Sequence, residues 1–534
     1  MKKILFVILG LALLTGCQKG GKIEKPVPED PSESEMSNIP VPELKYRTGG
    51  KTHLVSIDSE YEACDPQLKL RTLKLIYSIS QIIKEYSDKF SESGNKYKLS
   101  ELDTDAAGQV VPIDVQSVMS FLLKFSATST LSTAGIHTYT YTYKTVNGKG
   151  EPTTAVAALF VPKKGIKIKE TPVLVLPGFG IARAMATSIS VSAGIDYGMS
   201  DLTNLQSLGG IMSIMYEMMA RTGYIVLCAD GLGMGDNYDN HMICTKTSSY
   251  PVIDALLACR DIEFGKTDVQ WDKKTVTVLG MSESAYTAME VCKVLQEEYS
   301  DVFSVAAGAC VDGPYDVSES MRTALFDNNG NNSSILNYAI PVVYSLSDTY
   351  GATQPFFSYK NAFRNDIEGI DNFPEYVNDY YTDPTQNTYL GSTSKFLKNT
   401  ISDKYESELS ALSEQYAKTI LDPNSFANKF LKDCNSFDNW MPKMQFMIFQ
   451  HPVDDMIPPS NGERAIEAFR AAGSLTADIT YFYETLDFGM GGDDYYEGMM
   501  HVGASYVGMF KAFKWIDKQV YGNRLMNLNI KFVD

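Results

Sequence analysis

The sequence is poor in the residue types from which metal sites and disulfide frameworks are built. Its 534 residues include only five histidines and eight cysteines, and no two cysteines form a CxxC pair. We therefore predict neither a zinc site nor a disulfide framework, and the chain should need no metal or organic cofactor. Cys228, Cys292 and Cys310 fall within apolar strand or helix patterns, which predicts buried, unpaired thiols.

Positive charge is also scarce relative to negative charge. Lys and Arg number 47 against 65 Asp and Glu, which gives a formal net charge of -18. Because such a chain is repelled by a phosphate backbone, we expect no nucleic-acid partner. The apolar fraction of 44% is that of a globular protein.

Long apolar runs are missing except at the amino terminus, where the run is too short to span a membrane stably. Lys2 and Lys3 precede apolar residues 4–14, and Leu14-Thr15-Gly16-Cys17 follows. This segment resembles a bacterial lipobox, which implies cleavage before Cys17 and a lipid on its sulfur. The mature protein would then be tethered to the cell envelope, with the outer membrane as the expected site. Secretion with an unmodified Cys17 is the alternative.

Residues 18–46 are rich in Pro, Glu, Ser and Lys, which predicts a disordered spacer. A helical pattern predicts an amino-terminal extension over 47–130, and a hairpin follows, with strands at 136–145 and 153–161. Strands and helices then alternate over 131–317 and again over 440–534. This alternation predicts an α/β fold with a mostly parallel central sheet flanked by helices. Residues 318–439 interrupt it like an inserted, largely helical cap.

One strand of this alternation ends in a pattern typical of a nucleophile elbow. The β-branched run Val276-Thr277-Val278 leads to Gly280, Ser282 follows two residues later, and a helical pattern continues over 284–300. Strand, sharp turn and helix come in the order that exposes a serine hydroxyl at the edge of a sheet. Ser282 is therefore the candidate nucleophile.

A serine nucleophile needs a base and an orienting acid, and few residues qualify. Of the five histidines, only His501 follows both Ser282 and a late strand that ends in acidic residues. Asp454 is the predicted acid because it follows the strand over 444–450; Asp455 is the second choice and Asp312 a rival after the preceding strand. The order Ser, Asp, His is that of α/β-hydrolases.

From these residues, the chain resembles an α/β-hydrolase of the bacterial secretory lipase and esterase type over about 136–520. The matching runs are 174–180, 223–236, the elbow, and Asp454 four residues before Pro458. The resemblance implies an oxyanion hole from the Glu283 amide and from the loop at Gly178, where Phe179 would donate.

Two positions depart from the family pattern. Ser284 stands where the elbow usually has its last Gly, and Pro177 stands where many relatives have His. The resemblance implies a serine esterase or lipase that acts on a small-molecule, lipid or carbohydrate ester and meets the membrane only through its anchor. A peptidase related to the prolyl oligopeptidases and an inactive hydrolase fold used as a binding module are the alternatives.

Overall fold

A computed structural model of the protein describes the folded body and short parts of the segment before it. The described residues are 53–64, 67–68, 70–71, 111–113, 135–163, 171–178, 183–192, 205–235, 237, 242–265, 267–327, 333–351, 355–364, 413–454, 456–486 and 499–522. Cys17, the predicted spacer, Phe179 and Asp455 lie outside these residues.

The strands, in chain order, are β1 Leu54–Ala63, β2 Val111–Ile113, β3 Ile136–Val146, β4 Pro152–Pro162, β5 Val173–Pro177, β6 Ile225–Ala229, β7 Thr275–Met281, β8 Ser304–Val311, β9 Gln445–Gln450, β10 Ala477–Tyr481 and β11 Glu484–Leu486. The helices are α1 Thr187–Ser192, α2 Leu205–Arg221, α3 Ser249–Cys259, α4 Glu283–Glu297, α5 Arg322–Asp327, α6 Ser333–Tyr350, α7 Tyr359–Ala362, α8 Glu414–Leu421, α9 Phe426–Asp433, α10 Ser460–Ala471 and α11 Met499–Tyr521. A π-helical turn, Val317–Met321, precedes α5.

Nine of these strands form one sheet in the order β1-β3-β4-β6-β5-β7-β8-β9-β10. The predicted hairpin of β3 and β4 is confirmed, and both strands pair antiparallel, as do β1 with β3 and β4 with β6. From β6 to β10 every pair is parallel, as the alternation of strands and helices predicts. Parallel strands place their carboxyl ends at one edge, and there the reactive groups of open α/β sheets collect.

Apolar strands allow helices to cover both faces of the sheet. Val173 and Val175 of β5 belong to a core on one face with residues of α3, α4 and α10, whereas Leu174 and Leu176 belong to a core on the other face with α2 and α11. Strands that are covered on both faces have continuous apolar sequences. The predicted α/β fold is therefore confirmed.

The structure differs from the sequence expectation near the amino terminus. The sequence predicts a helical extension over 47–130, but Leu54–Ala63 form the edge strand β1, and Val111–Ile113 pair with β11 in a second, small sheet. β1 is mostly exposed, so its few buried side chains provide a weak pattern. Its backbone hydrogen bonds to β3, which are not local in sequence, decide its conformation.

Between β8 and β9 the described residues are largely helical. Helices α6, α8 and α9 share an apolar cluster rich in Tyr and Phe, which includes Tyr350, Phe357 and Phe430 and extends to Tyr286 of α4. This segment coincides with the predicted cap over 318–439, although the limits of that cap stay a prediction. None of the described helices has the length and apolar content needed to cross a membrane.

Candidate active site

Ser282 occupies the tight turn between β7 and α4. Its backbone is in a conformation rare for a residue with a side chain, with φ 53° and ψ −131°. Its N–H donates to the Val311 carbonyl oxygen at 2.8 Å, and its own carbonyl accepts the Ala285 N–H at 2.9 Å. Strain of this kind persists only where the surroundings hold it, and it clusters at functional sites.

Gly280 allows this turn because it leaves room for α4 against β7. A Cβ at this position would lie 2.2 Å from the Ser284 carbonyl oxygen and 2.7 Å from Ala288 Cβ. Neither contact is sterically possible, so only glycine lets strand and helix approach this closely. The small residue two positions before the serine is thus a packing requirement of the elbow.

Ser284, the departure from the family pattern, completes the turn with its hydroxyl. The Oγ accepts the Met281 N–H at 3.0 Å and donates to the Met281 carbonyl oxygen at 2.8 Å. The side chain is buried. A serine here satisfies two backbone groups that a glycine would leave to other partners, which the sequence pattern alone does not indicate.

His501 and Asp454 meet Ser282 at the carboxyl edge of the sheet. Ser282 Oγ lies 2.7 Å from His501 Nε2, and His501 Nδ1 lies 2.7 Å from Asp454 Oδ2. The side chains of His501 and Asp454 are 3% and 0% exposed, whereas Ser282 is half-buried. The structure therefore brings the three predicted residues into one hydrogen-bonded chain that ends at the more accessible hydroxyl.

The loop after β9 fixes the Asp454 carboxyl with two backbone amides. Its Oδ1 accepts the N–H groups of Met456 at 2.8 Å and Ile457 at 2.7 Å, while Oδ2 faces the imidazole. An anion at this point fixes the tautomer of His501 with its proton on Nδ1 and leaves Nε2 as the acceptor for the Ser282 hydroxyl.

The amide of Gly178, a residue predicted as part of the oxyanion hole, is already hydrogen-bonded within the sheet. Its N–H donates to the Ala229 carbonyl oxygen at 2.6 Å, and a Cβ would lie 2.4 Å from that same oxygen. Gly178 therefore lets the ends of β5 and β6 approach closely. Its N–H is used between the strands and does not serve as an oxyanion donor. Glu283 is the first residue of α4, a position whose N–H is not used by the helix ladder.

Asp312, the rival acid, is not the carboxyl that faces His501 Nδ1; Asp454 is. Asp312 is fully buried, and its Oδ1 accepts the His451 N–H at 2.6 Å and a proton of Gln450 Nε2 at 3.2 Å. Burial raises the pKa of Asp312 well above its usual range, and the neighbouring charge of Asp454 raises it further. Burial also lowers the pKa of His451 to about 4, so that this imidazole is neutral at pH 7.

The strand order, the helices on both faces and the serine at the turn after β7 define the α/β-hydrolase fold. Among curated proteins, none matches the chain in sequence. A family model described as "Prokaryotic membrane lipoprotein lipid attachment site" matches residues 1–18.

Solved structures that superpose on the chain include esterases, a hydrolase and a lipase. The rice cell wall degrading esterase LipA from Xanthomonas oryzae superposes with a TM-score of 0.52 at 20% identity, over 74% of this chain and 94% of that chain. A putative hydrolase from Legionella pneumophila gives 0.53 at 17% identity, over 72% and 90%. Candida antarctica lipase A in its closed state gives 0.51 at 15% identity, over 79% and 84%. At such low identities the likeness establishes the fold alone.

Proposed function

We propose that this protein is a serine hydrolase that cleaves carboxylic ester bonds and is tethered to the bacterial cell envelope by a lipid on Cys17. The observation that carries the proposal is the pair of 2.7 Å contacts that link Ser282 to His501 and His501 to Asp454. A hydroxyl, an imidazole and a buried carboxylate in this geometry are the parts that nucleophilic acyl transfer requires. The fold, which esterases and lipases share, adds support.

In the proposed reaction, Ser282 Oγ attacks the ester carbonyl carbon while its proton passes to His501 Nε2. The tetrahedral intermediate collapses, the bond to the alcohol oxygen breaks, and the alcohol leaves with the proton from His501. Water then attacks the acyl-enzyme with His501 as the base, which releases the carboxylic acid and restores Ser282. Asp454 accepts from His501 Nδ1 throughout and stabilises the imidazolium.

The negative charge on the carbonyl oxygen requires preorganised donors. We assign this role to the amides of Glu283, at the start of α4, and of Phe179, in the loop after β5. A donor aimed at the oxyanion is worth about 3 kcal/mol of transition-state stabilisation. The Phe179 assignment rests on the family resemblance, since this residue lies outside the described part of the chain.

The proposal extends to the class of bond and not to one alcohol or acyl chain. The structures that share the fold include a cell wall degrading esterase and a lipase, so the fold does not point to one ester. Small-molecule, lipid and carbohydrate esters are all within the class. An ester is favoured over a peptide bond because these structures are esterases and lipases.

Labelling of the detergent-solubilised protein with a fluorophosphonate, followed by nitrophenyl esters of increasing acyl length, tests the reaction. Wild-type protein should be labelled and should turn over esters, whereas Ser282→Ala should lose labelling and at least about 10⁴-fold in kcat. Ser213→Ala, which removes a buried serine hydroxyl from α2, is the matched control and should keep both activities. Labelling with peptide cleavage and no ester turnover would point to the peptidase, and a folded protein that takes no label would point to the binding module.

The anchor is tested separately from the chemistry. Cys17→Ser should move the protein from the membrane pellet to the soluble fraction of cells, because the thiol that carries the lipid is lost. Ester turnover should not change, since the active site lies in the folded body. A Cys17→Ser protein that stays in the pellet after a salt wash contradicts the proposed anchor.

A further inference from the structure

Asp312 stands at the backbone junction between the nucleophile and its acid. It follows β8, the strand that lies between β7 and β9 in the sheet. The preceding residue, Val311, accepts the Ser282 N–H at 2.8 Å, and the Asp312 N–H donates to the Phe449 carbonyl oxygen at 3.0 Å. Asp312 therefore lies beside the backbone hydrogen bonds that join β8 to Ser282 on one side and to the end of β9 on the other.

The side chain of Asp312 holds the end of β9. Its Oδ1 accepts the His451 N–H at 2.6 Å and a Gln450 side-chain proton at 3.2 Å, three and four residues before Asp454. The carboxyl is fully buried, and its backbone is strained at φ 45°. Backbone strain at a buried residue persists only where the surrounding contacts hold it.

Two carboxyls in one buried site cannot both be ionised at low cost, so the hydrogen bonds decide which one is the anion. Asp454 has two backbone N–H donors and the imidazole. Asp312 has one backbone N–H and one amide group, and its Oδ2 has no hydrogen-bond partner among the described residues. With fewer donors on its oxygens, Asp312 is thus the better place for a proton.

We propose that Asp312 is a positioning residue for the hydrolase reaction: as a neutral acid it fixes the end of β9 through the His451 N–H, and so sets where Asp454 meets His501. This inference rests on the proposed function. The titratable groups around it are Asp454 and His451 from the end of β9, His501 from α11, and Tyr315 from the segment after β8. Of these, His451 is neutral at pH 7 because burial lowers its pKa.

Two variants separate the hydrogen-bond acceptor of Asp312 from its ability to ionise. Asp312→Ala removes the acceptor for the His451 N–H and should lower kcat per fluorophosphonate-labelled site roughly 10- to 100-fold, the range for losing a residue that orients a reactive group, with KM nearly unchanged. Asp312→Asn keeps an acceptor oxygen without the acid. It should restore kcat to within about threefold of wild type and leave the acid limb of the kcat/KM profile in place.

Asp517→Ala is the matched control for lost stability. Asp517 is as buried as Asp312 and lies on the same helix as His501, but 16 residues further along, where it accepts from the Tyr224 hydroxyl at 3.2 Å. Its loss should lower the unfolding midpoint and leave kcat per labelled site unchanged. Because kcat is divided by the number of labelled sites, unfolded protein does not lower the value that is compared.

Three results would overturn the inference while the proposed function stands. The first is an Asp312→Ala enzyme with full kcat per labelled site, and the second is an Asp312→Asn enzyme as impaired as Asp312→Ala. The third is an acid limb that moves to lower pH in Asp312→Asn, because an ionised Asp312 would have held His501 protonated to higher pH. A folded wild-type protein without labelling or turnover would instead overturn the proposed function, and the inference with it.

Discussion

At the scale of single residues, the candidate site combines one strained backbone with side chains that differ in solvent access. Ser282 is half-buried and reachable, whereas the side chains of His501 and Asp454 are almost fully buried. An imidazole and a carboxylate interact more strongly when water is excluded, because the effective dielectric constant is lower. The attacking hydroxyl must reach the ester carbonyl carbon, so the greater exposure of Ser282 suits acyl transfer.

Glu290, a buried carboxyl on the same helix as the elbow, should make stability depend on pH. Burial raises the pKa of Glu290 to about 7, with Glu297 adding to the rise and Lys293 and Lys246 opposing it. The folded chain therefore keeps this proton to higher pH than the unfolded chain, in which the pKa is near the usual value for Glu. The stabilisation present below about pH 4.5 is lost as pH rises through about 7, and the loss amounts to about 3 kcal/mol.

Glu290→Gln should remove this dependence, because an amide stays neutral at every pH. We expect urea unfolding to give equal stability for variant and wild type near pH 4.5 and a more stable variant at pH 8. Glu467→Gln, at an exposed position of α10, controls for the loss of one negative charge. A Glu290→Gln protein with the same difference from wild type at both pH values would contradict the prediction.

At the scale of secondary structure, the contact between β7 and α4 is the least tolerant part of the elbow. Gly280→Ala should destabilise the protein by about 3 kcal/mol, because the new Cβ meets backbone atoms that cannot move without separating strand and helix. It should also slow fluorophosphonate labelling, since Ser282 is carried by the same turn. Urea unfolding and the labelling rate measure the two effects.

Gly522→Ala is the comparison for this substitution. Gly522 follows α11 with φ +75°, and a Cβ there would have no atom within 4 Å. Gly522→Ala should lower the free energy of unfolding only by the backbone strain of about 1 kcal/mol. The labelling rate should not change. Equal costs for the two substitutions would mean that the elbow relaxes more easily than its packing indicates.

At the scale of the whole molecule, Asp316 joins the segment between β8 and β9 to the hydrolase body. Its buried carboxyl accepts from the backbone of Glu319 and Ser320 and from two serine hydroxyls, and it pairs with Arg464 Nε of α10 at 2.5 Å. Its own N–H donates to Asn461 Oδ1 at 3.0 Å. The start of the π-helical turn is thus fixed to a helix of the core.

Asp316→Ala should cost roughly 2 to 4 kcal/mol, since several donors lose one buried acceptor. Limited proteolysis should then cut faster within 318–439 than in the wild type, while the core fragments persist. Arg464→Ala should have a much smaller effect, because the Arg464 side chain is 46% exposed and Asp316 keeps its other donors. Uniform cleavage along the Asp316→Ala chain would instead indicate global destabilisation.

Much of the fold and the proposed site follow from local patterns. The apolar runs of β5 to β9, the Gly280 to Ser282 spacing and the order Ser, Asp, His all depend on neighbours a few residues away, and each is visible in the sequence. The strand β1 is not, because its exposed side chains provide little periodicity and its pairing partner is some 80 residues distant.

The sequence by itself determined which side chains are available for chemistry: one suitably placed histidine, one serine at an elbow, and a pair of adjacent aspartates. Tertiary structure alone decided which of those side chains meet. It places the Asp454 carboxyl against His501 and the turn amides of Met456 and Ile457, sets the Asp312 carboxyl against the His451 N–H, and engages the Gly178 N–H with Ala229. The physical reason is that hydrogen-bond partners and burial are set between strands far apart in the chain, whereas residue patterns report only on conformation within a few positions.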